Sequence, residues 1–345
     1  GDMRAMAGPQ PMSRQINWAL TDLMLENREI VLAGEDVGRK GGVYGVTQKL
    51  QTRFGSARVV DTLLDEQSIL GLAIGMAHNG FLPMPEIQFL AYLHNAEDQI
   101  RGEAATLSFF SDGQYANPMV VRVAGLGYQK GFGGHFHNDN SIAVLRDIPG
   151  LIVACPSTGA DAARMLRECV RLARDEGRVV VFLEPIALYP VRDLHEDRDG
   201  AWMSVYPSPD QRIAFGDVGV HGAGRDLAIV TYGNGHYLSR QAEPALAKAG
   251  IDLRIIDLRW LAPLPEDAVL AAVEDCRHVL IVDECRRSGN LSEALMALFA
   301  EKTKVPLARI AAEDSFIATG PAYAVTMPSR DDIIDAAQRL TGARP

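Results

Sequence analysis

The chain has 345 residues, enough to bury two hydrophobic cores of ordinary domain size. Its 44 acidic and 34 basic residues give a formal net charge of −10, which argues against general binding to nucleic acid or anionic lipid. No apolar run is long enough to span a bilayer, and the N-terminal residues lack the apolar core of a signal peptide. The four cysteines have neither the spacing of a metal site nor that of a disulfide framework. We therefore expect a cytoplasmic protein with reduced, buried thiols.

In the first half of the chain, short β-branched runs alternate with longer segments of helical periodicity. The sequence predicts strands at EIVLAGED, ARVVDT, PMPEIQF, PMVVRVA, GLIVAC and RVVVFLE. Helices are predicted between them, over QSILGLAIGMAHNG and over STGADAARMLRECVRLARDEG, where Ser157 and Thr158 are available as N-terminal caps. This alternation is typical of a parallel sheet covered by helices on both faces, and we assign residues 1–195 to this first α/β domain.

A polar stretch rich in proline and glycine interrupts the alternation, and we assign residues 196–224 to a crossover between domains. The alternation then resumes, with predicted strands at DLAIVTY, DLRIIDL and RHVLIVDE and helices between and after them. Residues 225–345 are therefore predicted to form a second, smaller α/β domain. The predicted fold class is α/β, with two three-layer domains built on parallel sheets.

Polar side chains follow several predicted strands, at the edge of a parallel sheet where ligand sites gather. The segment DTLLDEQ places Asp61, Asp65 and Glu66 between a strand and a helix. Acids in a first helical turn are also favoured by the helix dipole alone, so a structural explanation stays open. The next strand is followed by Gln88, Phe89, Tyr92 and His94. Periodicity does not separate an aromatic core residue from a ring that stacks on a ligand.

A glycine-rich segment, GLGYQKGFGGHFHNDNS at residues 125–141, follows another strand and carries His135 and His137. We interpret it as a mobile loop that delivers an imidazole as proton donor or acceptor, with a solvated turn as the alternative. A metal site is not predicted, because no third ligand stands at short spacing. YGNGHYLS lacks the third glycine of a dinucleotide fingerprint, so it predicts a tight turn into a helix.

Nine motifs that occur in order along the chain give a specific family resemblance. They are VLAGEDVG, GGVYGVTQKLQTRFG, RVVDTLLDEQSILGLAIGMA, PMPEIQF…DQI, GGHFHND, IPGLIVACPST, FLEPIALY, LAIVTYGNG and IIDLRWLAPLP. Together they resemble the β subunit of the E1 component of 2-oxo acid dehydrogenases, which are thiamin-diphosphate enzymes related to transketolase. The resemblance implies a pyrimidine-binding domain followed by a transketolase C-terminal domain.

The resemblance also implies roles for five of the residues at the predicted strand ends and in the glycine-rich segment. Glu66 matches the glutamate that hydrogen-bonds N1′ of the cofactor's aminopyrimidine, which turns the exocyclic nitrogen into a base near the thiazolium C2 proton. Tyr92 matches an aromatic residue against the pyrimidine, and Leu64 and Gln88 match further cofactor contacts. His137 matches a loop histidine linked to proton handling, substrate positioning or transfer to the lipoyl group.

The partners follow from what the chain lacks. It has neither the Gly-Asp-Gly nor the Asn-Asn element with which thiamin enzymes hold the diphosphate through magnesium. The resemblance therefore implies that an E1 α subunit, in an α2β2 assembly with a β–β contact, or a fused α domain supplies that half of the site. It further implies an E2 lipoyl acyltransferase as acceptor. Some relatives hold a potassium ion in this subunit, which leaves no readable sequence signature.

The chain departs from the family pattern near the candidate site. LHNAED stands where many members carry Phe-Pro, so His94 and Asn95 change the pocket wall, and HFHNDN replaces the commoner YHSQ while keeping His137. Pyruvate and branched-chain 2-oxo acids both stay open as substrates. The alternatives are an acetoin-cleaving or ketol-transferring thiamin enzyme subunit and a non-catalytic scaffold subunit.

Overall fold

Twelve strands run through the parts of the chain that the computed structural model describes, residues 8–127 and 137–343. In chain order they are β1 Ile30–Gly34, β2 Val59–Asp61, β3 Leu82–Ile87, β4 Met119–Gly125, β5 Ile152–Ala154, β6 Val179–Pro185, β7 Gly219–His221, β8 Leu227–Thr231, β9 Leu253–Asp257, β10 Trp260–Ala262, β11 Val279–Arg286 and β12 Leu307–Ala312. Each predicted strand run coincides with one of them.

Ten α-helices lie between these strands or flank them within the described residues. They are α1 Met12–Glu26, α2 Leu50–Phe54, α3 Glu66–His78, α4 Thr106–Phe110, α5 Ala143–Arg146, α6 Gly159–Glu176, α7 Gly233–Lys248, α8 Glu266–Val273, α9 Leu291–Lys302 and α10 Arg330–Thr341. Shorter 3₁₀ turns span Val43–Gly45, Leu90–Ala96, Ile186–Leu188 and Gly320–Val325, and a π-helical turn spans Gln99–Ala104.

The strands form two sheets, which confirms the predicted α/β class. The first has seven strands in the order β10-β5-β6-β4-β3-β1-β2, and the second has five in the order β12-β11-β8-β9-β7. Each sheet carries one antiparallel edge strand, β10 against β5 and β7 against β9, which hydrophobic periodicity did not distinguish. β10 follows β9 in the chain yet joins the first sheet, and β7 lies within the predicted crossover 196–224. The domain bounds themselves stay a prediction.

Local sequence explains where helices α6 and α7 begin. The Thr158 hydroxyl accepts a hydrogen bond from the Asp161 amide at 3.2 Å and caps α6, as predicted. Ser157 does not cap α6, because its hydroxyl accepts from the Gly233 amide and donates to Asp257. Helix α7 begins at Gly233, whose φ of 52° provides the tight turn predicted at YGNG.

The cores lie on both faces of the first sheet, because its central strands β4 and β6 are buried along their whole length. All four cysteines are free and buried, as expected. No helix in residues 8–127 or 137–343 is long and apolar enough to cross a bilayer.

Candidate active site

Glu66 occupies the first turn of α3, directly after the loop that leaves β2. Its side chain is only 6 % exposed, and its Oε2 accepts a hydrogen bond from Nδ2 of Asn95 at 3.3 Å. Asn95 belongs to the 3₁₀ turn that follows β3, so the carboxylate faces the turn after the next strand in the chain. An acid placed only to complement a helix dipole would be expected to face solvent.

The other two acids of DTLLDEQ have structural partners. The Asp61 carboxylate accepts hydrogen bonds from the Gly38 amide at 2.6 Å and from the Arg39 amide at 3.2 Å. Asp65 accepts a hydrogen bond from the Ser68 hydroxyl on the exposed side of α3. The dipole and turn explanation therefore holds for these two residues, and Glu66 alone of the three turns toward the following strand.

Leucine side chains beside Glu66 stand on the surface. Leu63 is 83 % exposed and Leu64 is 67 % exposed. Large apolar side chains in this position offer a surface that a ligand or a partner can cover. Leu64, for which a cofactor contact is predicted, is therefore close to Glu66 in the chain, and its side chain is accessible to a ligand.

Glu35 is a member of this site that the sequence reasoning did not single out. It directly follows β1, and its pKa is raised, first by burial and then by the charges of Asp36 and Glu66. The charges of Glu35, Asp36 and Glu66 therefore interact at the carboxyl ends of β1 and β2, which favours a positively charged group beside them. The signal that could have found Glu35 is its place immediately after a buried strand.

Tyr92 connects these acids to His137. Its hydroxyl lies 3.3 Å from Nε2 of His137, and its pKa is raised by burial and by the charges of Glu35 and Glu66. The ring of Phe89 packs edge-on against both residues, with its centroid 5.6 Å from that of Tyr92 and 4.5 Å from that of His137. The structure thus brings Tyr92 and His137, which are distant in sequence, into one cluster. His135 lies outside the described residues.

A pocket of about 390 Å³ opens beside this cluster, lined by Val43, Tyr44, Gln88, Phe89 and His137. Tyr44 holds a left-handed backbone conformation, with φ of 52°, and its side chain is 54 % exposed. This conformation is strained for a non-glycine residue, and residues strained in this way cluster at functional sites. Nε2 of Gln88 donates to Asp36 at 3.4 Å, which connects the pocket wall to the acids.

A larger cavity of about 710 Å³ lies at the opposite end of the first sheet, where β6 begins. Phe109, Phe110, Arg178 and Val179 contribute to its lining, which includes none of the residues predicted for the site. Volume alone would favour this cavity. The convergence of an acid cluster, a tyrosine and a histidine instead makes the smaller pocket the candidate active site.

Two protein-family models match the chain. Residues 9–190 match the transketolase pyrimidine binding domain, and residues 216–333 match the transketolase C-terminal domain. A split-gene transketolase, solved as an inactive β4 tetramer, superposes with a TM-score of 0.75 over 98 % of this chain and 100 % of that one, at 19 % sequence identity. This likeness establishes the fold.

Sequence comparison identifies more specific relatives of the chain. The pyruvate dehydrogenase E1 component subunit beta of Staphylococcus aureus strain Mu50 is 34 % identical over 95 % of this chain and 97 % of its own length. The subunit of the same name from Bacillus subtilis strain 168 is 32 % identical over 93 % of this chain and 97 % of its own. The chain therefore belongs to the family of β subunits of the E1 component of 2-oxo acid dehydrogenases.

Proposed function

We propose that the chain forms the β half of a thiamin-diphosphate-dependent E1 enzyme, which decarboxylates a 2-oxo acid and transfers the acyl group to a lipoyl group on E2. The observation that carries the proposal is the buried Glu66 carboxylate, which faces the turn that also holds Tyr92, next to His137 and the pocket. An α subunit, in an α2β2 assembly, would supply the groups that bind magnesium and the diphosphate.

The residues at the site fit the pyrimidine half of the cofactor. A buried carboxylate suits a ring nitrogen that carries a proton, and an aromatic residue and exposed leucines suit the faces of a flat heterocycle. When bound, thiamin diphosphate would supply the nucleophilic carbon and the electron sink for decarboxylation. Glu66 would accept the hydrogen bond from the ring nitrogen, while Leu64 and Gln88 would contribute further contacts.

His137 and Tyr92 would act on the substrate side of the site. His137 lines the pocket, and the Tyr92 hydroxyl at 3.3 Å fixes the position of its Nε2. An imidazole in this position can orient the 2-oxo acid and hold or release a proton as the acyl group leaves. The open, partly aromatic lining with Val43 and Tyr44 suits a small 2-oxo acid side chain.

The wider assembly follows from the same family. We expect a β–β contact in the α2β2 tetramer, and the net charge of −10 suits docking to a basic subunit-binding domain of E2. A potassium ion in this subunit stays an expectation from the family resemblance. Free, buried cysteines support a reducing, cytoplasmic environment.

Reconstitution tests the proposal. The chain alone should show no decarboxylation, and addition of an E1 α subunit with thiamin diphosphate and magnesium should produce it. Glu66→Ala should then lower kcat by about 100-fold or more, because the hydrogen bond to the ring nitrogen is lost. The measurements are the rate of 2-oxo acid decarboxylation and a fluorescence titration with thiamin diphosphate.

Asp65→Ala is the matched control, since Asp65 is the adjacent carboxylate and its side chain accepts a hydrogen bond from Ser68 on the exposed side of the same helix. Activity of Glu66→Ala close to the wild-type value would contradict the assigned role. A panel of pyruvate, branched-chain 2-oxo acids, acetoin and ketose phosphates identifies the substrate. The absence of saturable cofactor binding by the reconstituted complex would instead favour a scaffold subunit.

A further inference from the structure

His94 lies in the Leu90–Ala96 turn. This turn faces residues 137–142, the His137 segment. Nε2 of His94 is 3.3 Å from Oδ2 of Asp139, and the side chains are 46 % and 11 % exposed. Asp139 stands two residues after His137. The same turn thus contacts the His137 segment twice, through Tyr92 at His137 and through His94 at Asp139.

Both oxygens of the Asp139 carboxylate have partners. Oδ2 faces His94, while Oδ1 accepts a hydrogen bond from the Ser141 amide at 3.0 Å and lies 3.5 Å from Nη1 of Arg286. Arg286 closes β11 of the second sheet. Asp139 therefore joins the turn after β3, the His137 segment and the end of β11.

The remainder of the His137 segment is bound to β11 and to the N-terminus of α9. Nδ2 of Asn140 donates to the Glu284 carbonyl at 2.8 Å, and the Ile142 amide donates to Oδ1 of Asn290 at 3.3 Å. These two bonds involve groups that do not titrate near neutral pH. The contact with His94 differs, because its strength depends on whether the imidazole is protonated.

We propose that His94 is a positioning residue, whose protonated imidazole binds Asp139 and holds the His137 segment against the Leu90–Ala96 turn, with His137 at the pocket. The consequence for catalysis rests on the proposed function, whereas the tether itself does not. His94 does not touch the pocket; it acts through Asp139 and the backbone between Asp139 and His137.

The charges around His94 set the direction of the pH dependence. Its pKa is raised above the ordinary value of 6.5, first by the hydrogen bond to Asp139, and also by the charges of Asp139 and of Glu97 in the same turn. Burial and Arg286 oppose this shift. Because the folded pKa is raised, the tether is fully formed below about pH 6.5 and is lost as the pH rises through the raised value.

The expected effect is modest because the His94 side chain is 46 % exposed. Exposed ion pairs contribute up to about 1 kcal/mol, which corresponds to about a fivefold change in an equilibrium. The tether should therefore change the protection of the His137 segment by up to about fivefold, without altering the fold elsewhere.

Hydrogen exchange of the full chain without cofactor tests the tether directly. The amides of Ser141 and Ile142 should lose about two- to fivefold protection between pH 6 and pH 8, after correction for intrinsic exchange rates. His94→Gln should show the low protection at both pH values, because glutamine carries no charge. His94→Arg should show the high protection at both, because arginine stays charged. His78→Gln, which alters an exposed histidine at the end of α3, is the control and should behave as wild type.

Equal protection in wild type and His94→Gln at pH 6 would overturn the proposal, whatever the activity. In the reconstituted enzyme, His94→Gln should lower kcat/KM at pH 6 and flatten its pH profile, and His94→Arg should restore activity at pH 8. If exchange follows the expected pattern but no 2-oxo acid is decarboxylated, the proposed function fails and the tether stands.

Discussion

Among single residues, the hydrogen-bond partner of a side chain, rather than its residue type, distinguishes the members of the candidate site from their neighbours. Asp61, Asp65 and Glu66 are acids within six positions of one another, and two of them satisfy local backbone or hydroxyl groups. Glu66 is the one that faces the turn after β3, the next strand in the chain. Tyr92 is half-buried: its ring packs against the apolar core, and its hydroxyl lies 3.3 Å from Nε2 of His137.

The hydroxyl of Tyr92 should contribute to catalysis through His137. Tyr92→Phe removes the group that lies 3.3 Å from Nε2 of His137 and keeps the ring that packs on Phe89. A hydrogen bond of this kind contributes about 1 kcal/mol, so kcat of the reconstituted enzyme should fall by about fivefold with little change in cofactor affinity. Steady-state kinetics and a cofactor titration measure both quantities.

Tyr115→Phe is the matched control for that experiment, because Tyr115 is 65 % exposed and belongs to the loop before β4, at the opposite end of the sheet. A kcat for Tyr92→Phe equal to that of the control would show that the hydroxyl does not position His137.

Among the secondary structure elements, strand β9, the loop before α6 and the start of α7 are connected through Asp257 at its hydrogen bond with Ser157. Asp257 ends β9 and accepts a hydrogen bond at 2.9 Å from the Ser157 hydroxyl, which in turn accepts from the Gly233 amide at the start of α7. Burial, and to a lesser degree the charge of Asp161, raise the pKa of Asp257 to about 7, although Arg259 opposes the shift. The junction is therefore most stable with Asp257 protonated.

This pKa predicts how stability depends on pH. Between about pH 4 and about pH 7 the unfolded chain has released the Asp257 proton and the folded chain has kept it, so this group's contribution to the free energy of unfolding falls as the pH rises. The loss is at most on the order of 4 kcal/mol. Asp257→Asn should lack this decline. Urea unfolding at a series of pH values measures the difference between wild type and variant.

Asp335→Asn, on the exposed side of α10, is the control for the Asp257 measurement. Parallel curves of unfolding free energy against pH for wild type and Asp257→Asn would mean that Asp257 is ionised in the folded chain throughout this range.

At the scale of the whole molecule, the two sheets are joined by more than a chain crossover. β10 adds an edge strand to the first sheet after the chain has already entered the second. Nδ2 of Asn234 donates to the Leu126 carbonyl at 2.8 Å, and one continuous apolar cluster contains residues of both sheets, among them Val123 and Val230. Separation of the sheets would therefore break a sheet ladder and expose a shared core.

We expect the two predicted domains to unfold together in a single cooperative transition. Loss of either sheet removes part of the other's core, so an intermediate with one folded domain would expose much apolar surface. Differential scanning calorimetry of the isolated chain should give a calorimetric enthalpy equal to the van't Hoff enthalpy. Two resolved transitions would show instead that the domains unfold independently.

Much of this architecture could be read from the chain directly. Strand and helix positions follow from hydrophobic periodicity, the α6 cap follows from Thr158, and the start of α7 follows from the glycines of YGNG, because each depends on interactions a few residues long. The collinear motifs also identify the family, since they are distributed along most of the chain.

Other features are set by contacts between residues far apart in the chain. Neither the antiparallel docking of β10 on β5, nor the pairing of His94 with Asp139, nor the approach of Glu35 to Glu66 leaves a periodic signal. The burial of Glu66, in contrast to Asp65, likewise depends on the position of the Leu90–Ala96 turn, which is distant in the chain. Local sequence patterns thus account for the secondary structure elements and the family. Long-range packing selects the side chains that share a site, because burial and proximity arise only when distant segments pack together.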